Sequence, residues 1–374
     1  MISRREIQRL IHRPASERPV VSIFLDMSVD SNNKRSHRVF LAQQRSAYAA
    51  LDSERAAHPR EALGAVFRRV EHWLADDFDE ANKGAALYAE LGGDWFEGIQ
   101  APVPLPNRFV IDERPVIGPL AEMLERYHHH GVVLVDREHL RMFSVYLGRP
   151  LHEHEVRTDP YPAPHDVRAG GYSAPDFQRR KAEEVRHFFK EFALEVGEFV
   201  RRYEPDDLVL VGTDENVTAF RTFLPKAVDD RVVHTAHGPI DAPVADILGR
   251  LGPFFHEFAE REEIDALAML RDRVGHGHLA AAGIARTLEQ LQEGKVDTLV
   301  LARGLDRTGA RCTRCGFYLA ARPDACPYCG GTTRHGVDLG EAMVRIAEER
   351  EIPIAFADPQ ALDDMEGAGA LLRF

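Results

Sequence analysis

The sequence predicts an α/β protein with an α+β N-terminal block and a small cysteine ribbon set into its C-terminal block. Three observations carry that expectation. Apolar strand-like runs alternate with helical periodicities through the second half of the chain. The first block mixes isolated strands with long helical stretches. All four cysteines of the 374 residues fall within RCTRCGFYLAARPDACPYCGG.

In chain order, VVSIFLDMS (20–28) reads as a buried strand and EALGAVFRRVEHWLADDF as a helix. GAALYAEL and DWFEGIQ read as strands, and the proline-rich APVPLPNRF separates them from a helix, LAEMLERYHHH, whose histidines 128–130 are expected at its polar end. GVVLVDREHLRMFSVYLGRPL predicts two strands around a short acidic turn. A loop rich in Pro, Gly and His follows, from Asp159 to Pro175. Val185, Phe188, Phe189, Phe192, Val196, Phe199, Val200 and Tyr203 then recur at separations of three and four, one face of a helix. DLVLVG, DENVTAFRTFLPKAV and RVVHTAH continue as strand, helix, strand, the pattern of a mainly parallel sheet. A long charged helix spans roughly residues 243–272. HLAAAGIARTLEQLQEGKV reads as a helix ended by Gly294, DTLVLARGL as a buried strand, GEAMVRIAEERE as a helix, and IPIAFAD and GALLRF as strands. The expected blocks are 1–126, 127–270 and 271–374, with the ribbon at 311–331 between a strand and a helix.

The formal net charge is −13, so any nucleic-acid contact has to come from local basic patches. No apolar run is long enough to span a bilayer, and the start, MISRREIQRLIHRP, lacks the apolar core of a secretory signal. A cytoplasmic location without membrane or DNA partners is therefore expected.

Cys312, Cys315, Cys326 and Cys329 form two Cys-x2-Cys pairs ten residues apart, each followed by glycine (Gly316, Gly330). Each pair can turn two thiolates toward one ion, with glycine supplying the positive φ of the turn. Four thiolates close a tetrahedral shell, so one structural Zn2+ with no catalytic position is expected. Between Arg303 and Arg334 lie six arginines and only Asp306 and Asp324, a net-positive tip that reads either as a solvated face or as a partner contact. His152 and His154, interleaved with Glu153 and Glu155, could line one strand face. His276 and His278 read as the start of a helix. Capping and surface roles are expected for these histidines ahead of metal ligation.

The segment HDVRAGGYSAPDFQRRKAEEVRHFF places Gly170 and Gly171 at the centre of a loop, with Arg179, Arg180, Lys181, Arg186 and Lys190 just beyond. A glycine tip backed by arginines suits a phosphate-lined cavity; a surface loop before a solvated helix is the plainer alternative. With the SIFLD strand, GVVLVDREHLRMFSVYLG, this loop, the basic amphipathic helix, LVLVG, the cysteine ribbon and the closing EGAGALLRF in that order, the chain resembles the archaeal and eukaryotic class-1 release factor and Pelota superfamily, especially its bacterial, Balon-like members. The resemblance implies a three-domain architecture with a zinc ribbon inserted in the third domain. It also implies binding in the ribosomal A site, next to ribosomal RNA and P-site tRNA, and delivery by a translational GTPase. Arg168, Gly170, Gly171, Tyr172, Ser173, Arg179, Arg180 and Lys181 are the implied RNA contacts.

Release factors carry Gly-Gly-Gln in this loop, where the glutamine positions water against the peptidyl-tRNA ester. Here Tyr172 follows the glycines, and Ala174 stands where many bacterial relatives place a later glutamine. Gln178 is the nearest amide and the one catalytic candidate. Asn32, Asn33 and Lys34 faintly resemble the family's Asn-Ile-Lys-Ser loop. The implied function is a non-hydrolytic ribosome-binding factor in rescue or hibernation. The alternative is a peptidyl-tRNA hydrolase using Gln178 or the Gly171 amide.

Overall fold

The computed structural model describes residues 4–14, 17–29, 34–50, 60–157 and 174–374. They form two compact units: Met1–Arg126 with Ala259–Phe374, and Tyr127–Phe258.

The N-terminal half of the first unit contains α1 (Arg4–Ile11), β1 (Val20–Asp26), α2 (His37–Ala50), α3 (Arg60–Asp76), β2 (Gly84–Glu90), β3 (Phe96–Ala101), β4 (Arg108–Asp112) and α4 (Gly118–Arg126). The strands form an antiparallel sheet in the order β3-β2-β1-β4. β1 is central, which explains its almost uninterrupted apolar sequence. Val21, Ile23 and Leu25 face α2 and α3, while Phe24 meets Tyr88 edge-to-face on the opposite side. Ser22, the one polar residue inside β1, is fully buried and accepts a hydrogen bond from the Val116 amide.

The second unit contains β5 (His130–Val135), β6 (His139–Tyr146), β7 (Arg149–Arg157), α5 (Ala174–Tyr203), β8 (Asp207–Gly212), α6 (Asp214–Arg221), α7 (Lys226–Asp229), β9 (Val232–His237) and the first part of α8 (Val244–Gly275). Its sheet runs β7-β6-β5-β8-β9, with β5, β8 and β9 parallel and the expected β5–β6 hairpin antiparallel. Alternate residues of β5 and β8 serve two cores. Val133, Val135, Leu208 and Leu210 pack against α5 and α6. Val132, Leu134, Val209 and Val211 pack against Ile247 and Leu251 of α8. The helix expected over DENVTAFRTFLPKAV is instead two, α6 and α7. Pro225 caps α7, lacks an amide donor and disfavours helix at the residue before it.

The chain returns to the first unit within α8. There follow β10 (Ala280–Ala282), α9 (Ile284–Gln292), β11 (Val296–Ala302), β12 (Thr308–Cys312), β13 (Tyr318–Leu319), β14 (Thr333–Asp338), α10 (Leu339–Glu349), β15 (Ile354–Ala357), a 3-10 helix (Pro359–Met365) and β16 (Ala368–Leu372). The main sheet is β10-β16-β11-β15, and β13-β12-β14 makes a separate three-stranded ribbon between β11 and α10. The single helix expected from His278 onward is corrected at its start. Three alanines pair with β16, and Gly283, at φ 84, turns the chain into α9.

The two halves of this unit are fastened by polar groups. Glu341, in the first turn of α10, accepts the amides of Ile117 (2.9 Å) and Gly118 (2.8 Å) at the start of α4, and Arg345 lies 3.3 Å from it. Arg345 also donates to the Pro115 carbonyl. Arg108 of β4 bonds Asp338 at 2.7 Å, and Gln8 of α1 donates to the Glu348 carbonyl at 2.9 Å. Burial pushes the Glu341 carboxyl up to about 7, against the pull of Arg345 and the two amides.

Candidate functional site

The cysteine ribbon is built by two matching turns. Cys312 ends β12, and its carbonyl accepts the Gly316 amide at 3.1 Å; the Cys326 carbonyl accepts the Gly330 amide at 2.9 Å. Gly316 (φ 77) and Gly330 (φ 71) adopt the left-handed conformation expected from the spacing. Thr313 ties the turns together, its amide donating to the Thr332 carbonyl at 3.0 Å. As a result the four cysteine sulfurs lie within 4.8 Å of one another.

Cys312 and Cys329 sulfurs are 3.5 Å apart and those of Cys315 and Cys326 3.8 Å. That is beyond disulfide bonding. It fits a tetrahedral thiolate site, where metal–sulfur bonds of roughly 2.3 Å set sulfurs about 3.8 Å apart. The Cys312 sulfur accepts the amides of Cys315 and Arg314, each at 3.4 Å. Led by the Cys315 amide, these bonds hold the Cys312 thiol down to about 6, whereas, against the Phe317 amide, desolvation and the neighbouring thiols push Cys315 up to about 12. Among the described residues, these cysteines are the group of potential ligands close enough to hold a metal ion.

The arginines of this segment divide: Arg303, Arg311 and Arg334 are half-buried, whereas Arg307, Arg314 and Arg322 are exposed. Arg334 meets Glu113 at 2.6 Å, and Arg311 approaches the same carboxylate at 3.9 Å. Arg303 pairs with Glu263 at 2.7 Å, Arg314 reaches the Cys329 carbonyl and Arg322 the Thr308 carbonyl. Three of the six arginines are thus paired with carboxylates, while Arg307, Arg314 and Arg322 remain on the surface.

The Gly-Gly loop, with Arg168, Gly170, Gly171, Tyr172 and Ser173, lies outside the described residues, as do Asn32 and Asn33. Its anchors are described: it leaves β7 after Arg157 and ends at α5, which begins at Ala174. Pro175 is therefore helical, in the first turn where its missing amide costs nothing. Gln178, Arg179, Arg180 and Lys181 occupy the first two turns of α5, and their side chains lie outside the described set. Farther along, Phe188, Phe189, Phe192, Val196 and Phe199 are buried as the periodicity requires, and Arg186 and Lys190 are exposed one turn apart.

The histidines take positions the sequence did not give them. α4 stops at Arg126, so histidines 128–130 are not a helix end. His130 opens β5, 4% exposed, and its ring stacks on Phe255 of α8 at 4.4 Å. Burial holds its imidazole down to about 4, opposed by Asp207. The Asp207 Oδ2 lies 3.4 Å from His128 and 3.7 Å from His130.

His152 and His154 do not converge. His152, at φ 55, stacks on Tyr203, whereas His154 faces Glu195 at 3.7 Å. His276 follows the end of α8 instead of starting a helix, and accompanies the Asp272 carbonyl one turn back.

Sequence reasoning missed the Glu341–Arg345 fastening and the Glu113 contacts. Their partners lie more than 190 residues apart in the chain, and no local pattern announces them. No helix is long and apolar enough to cross a membrane among the described residues.

Residues 115–252, which contain the whole second unit's sheet and the loop between β7 and α5, match the model of bacterial archaeo-eukaryotic release factor family 10. No curated protein matches the chain. Among solved structures it is similar to an archaeal translation termination factor (15% identity, 100% of this chain and 99% of that one, TM-score 0.28). Archaeoglobus fulgidus Pelota is similar at 13% identity over 78% and 79% of the two chains, TM-score 0.29. S. cerevisiae Dom34, a translation termination-like factor, is similar at 9% identity over 80% and 82%, TM-score 0.41. Superpositions this loose leave the assignment to the family match. The middle of the chain, residues 115–252, is thus similar to the bacterial archaeo-eukaryotic release factor family.

Proposed function

We propose that this chain is a ribosome-associated translation factor that occupies the A site during rescue or hibernation without cleaving peptidyl-tRNA. The supporting observation is the family match over residues 115–252 combined with Tyr172 at the position of the release-factor glutamine. On this reading block 1–126 faces the decoding region. Block 127–270 carries Arg168, Gly170, Gly171, Tyr172, Ser173, Arg179, Arg180 and Lys181 toward ribosomal RNA and the P-site tRNA end. Block 271–374 carries the ribbon. The four thiolates hold one structural zinc, which supplies rigidity and no reactive position. A translational GTPase delivers the protein, and the cytoplasm is its compartment.

The lack of hydrolysis follows from chemistry. Tyr172 has no carboxamide with which to orient water and also tolerate the ester's developing negative charge. Gln178 is the fifth residue of α5, so its backbone is fixed in a helix, not carried on the loop tip. Stalled ribosome–nascent-chain complexes incubated with excess protein should retain their peptidyl-tRNA. Release by the wild type, abolished in Gln178→Ala, would establish the hydrolase reading instead.

A further inference from the structure

Arg311 and Arg334 are direct cross-strand partners on β12 and β14, next to the Cys312–Thr333 pair. Two like charges directly opposed weaken a sheet unless an anion lies between them. Glu113 provides that anion, at 2.6 Å from Arg334 and 3.9 Å from Arg311, and Asp112 stands 3.9 Å from Arg334. Arg311 is further held over the Tyr318 ring at 5.4 Å, and the Gly316 carbonyl accepts from its Nε at 3.4 Å. One arginine thus adjoins a metal-ligand position, and both reach the turn that ends β4.

The position of that turn bears on the whole N-terminal sheet. Asp112 pairs with Val20 at one end of β1, the central strand. Four residues later the Val116 amide enters the buried Ser22 hydroxyl. The arginines therefore connect the cysteine site to the central strand of the other half of the unit.

We infer that the ribbon is an internal latch, in which metal binding sets the β12–β14 register and so positions Arg311 and Arg334 to hold the Asp112–Glu113 turn. The metal's influence then extends beyond the ribbon into the N-terminal sheet. This rests on the metal reading above, but the arginine arm of the test does not require it.

The experiment is amide hydrogen exchange on the full chain, with metal content measured on each sample. Wild type is compared with chelated wild type, Arg311→Ala/Arg334→Ala and Glu113→Gln. Peptides covering 109–117 should exchange roughly three- to tenfold faster in the arginine double variant, the range for two or three half-exposed ion pairs. Metal content should be unchanged in that variant, and peptides of the second unit should not respond. Chelation should speed exchange in 109–117 as well as in 311–331. If chelation affects only 311–331, or if the arginine variant leaves 109–117 at the wild-type rate, the latch is refuted. A wild type that purifies without metal and binds none would refute the metal reading, while the arginine variant still decides whether the clasp itself exists.

Discussion

Replacing Glu341 with alanine should loosen the first unit more than any other single truncation on the surface joining its two halves. The side chain is largely buried and accepts three donors: the amides of Ile117 and Gly118 and the Arg345 guanidinium. Alanine leaves all three in a low-dielectric setting. A buried donor stranded in this way costs about 1–3 kcal/mol, and breaking a buried ion pair by removing one partner costs about 3–5 kcal/mol. The cavity beside Arg345 has room for water, which should keep the total from exceeding the ion-pair figure of roughly 3–5 kcal/mol. Against a typical domain stability of about 5–15 kcal/mol, this is a large fraction.

Urea unfolding followed by a probe in this unit, such as Trp73 or Trp95 fluorescence, measures the loss. A second arm uses pH. The folded-state carboxyl is raised to about 7 from its ordinary 4.5, so native protein binds the proton more tightly than unfolded protein. The contribution of this carboxyl is complete below pH 4.5 and is lost, by about 3 kcal/mol, as pH rises through 7. Glu341→Gln should remove that slope. A Glu341→Ala loss under 1 kcal/mol, or an unchanged slope in Glu341→Gln, would refute the reasoning.

The remaining predictions concern other parts of the molecule. His130, held down to about 4, has the opposite sign. Its contribution is complete above pH 6.5 and declines by about 3 kcal/mol as pH falls to 4, and His130→Phe should flatten that decline when the second unit is followed by circular dichroism. Elemental analysis should find one zinc per chain, and Cys312→Ser with Cys315→Ser should abolish it while the main sheets keep their far-UV signal. Charge reversal at Arg179 and Arg180 should weaken ribosome co-sedimentation and reduce its salt dependence, leaving thermal unfolding within about 1 kcal/mol of wild type.

Much of the fold was legible because its signals are local. β5, β8 and β11 each contain a continuous buried apolar run (132–135, 208–211 and 299–302), as strands buried on both faces must, and the three-four spacing of phenylalanines marks the inner face of α5. The cysteine turns were legible for the same reason, since each Cys-x2-Cys-Gly closes its own hydrogen bond. Errors came where distant partners decide. The alanines of β10 have no strand preference of their own and become a strand only because β16 lies beside them. His130 looks polar in sequence and is buried because Phe254, Phe255 and Phe258 of a helix more than a hundred residues later surround it. Among the arginines near the ribbon, the pairing of Arg303 with Glu263 and of Arg311 and Arg334 with Glu113 could not be read from the sequence, because those carboxylates lie 40 and about 200 residues away. The Gly170–Tyr172 loop lies outside the described residues, so the sequence is what speaks for it.

The most direct measurement is sedimentation of the purified chain with ribosomes from growing, starved and stalled cells, coupled to gel analysis of the peptidyl-tRNA in each pellet. The expected result is stoichiometric co-sedimentation with intact peptidyl-tRNA, weakened by charge reversal at Arg179 and Arg180. A chain that stays in the supernatant with every ribosome preparation contradicts the ribosomal role, and one that pellets while clearing the peptidyl-tRNA contradicts its non-hydrolytic character.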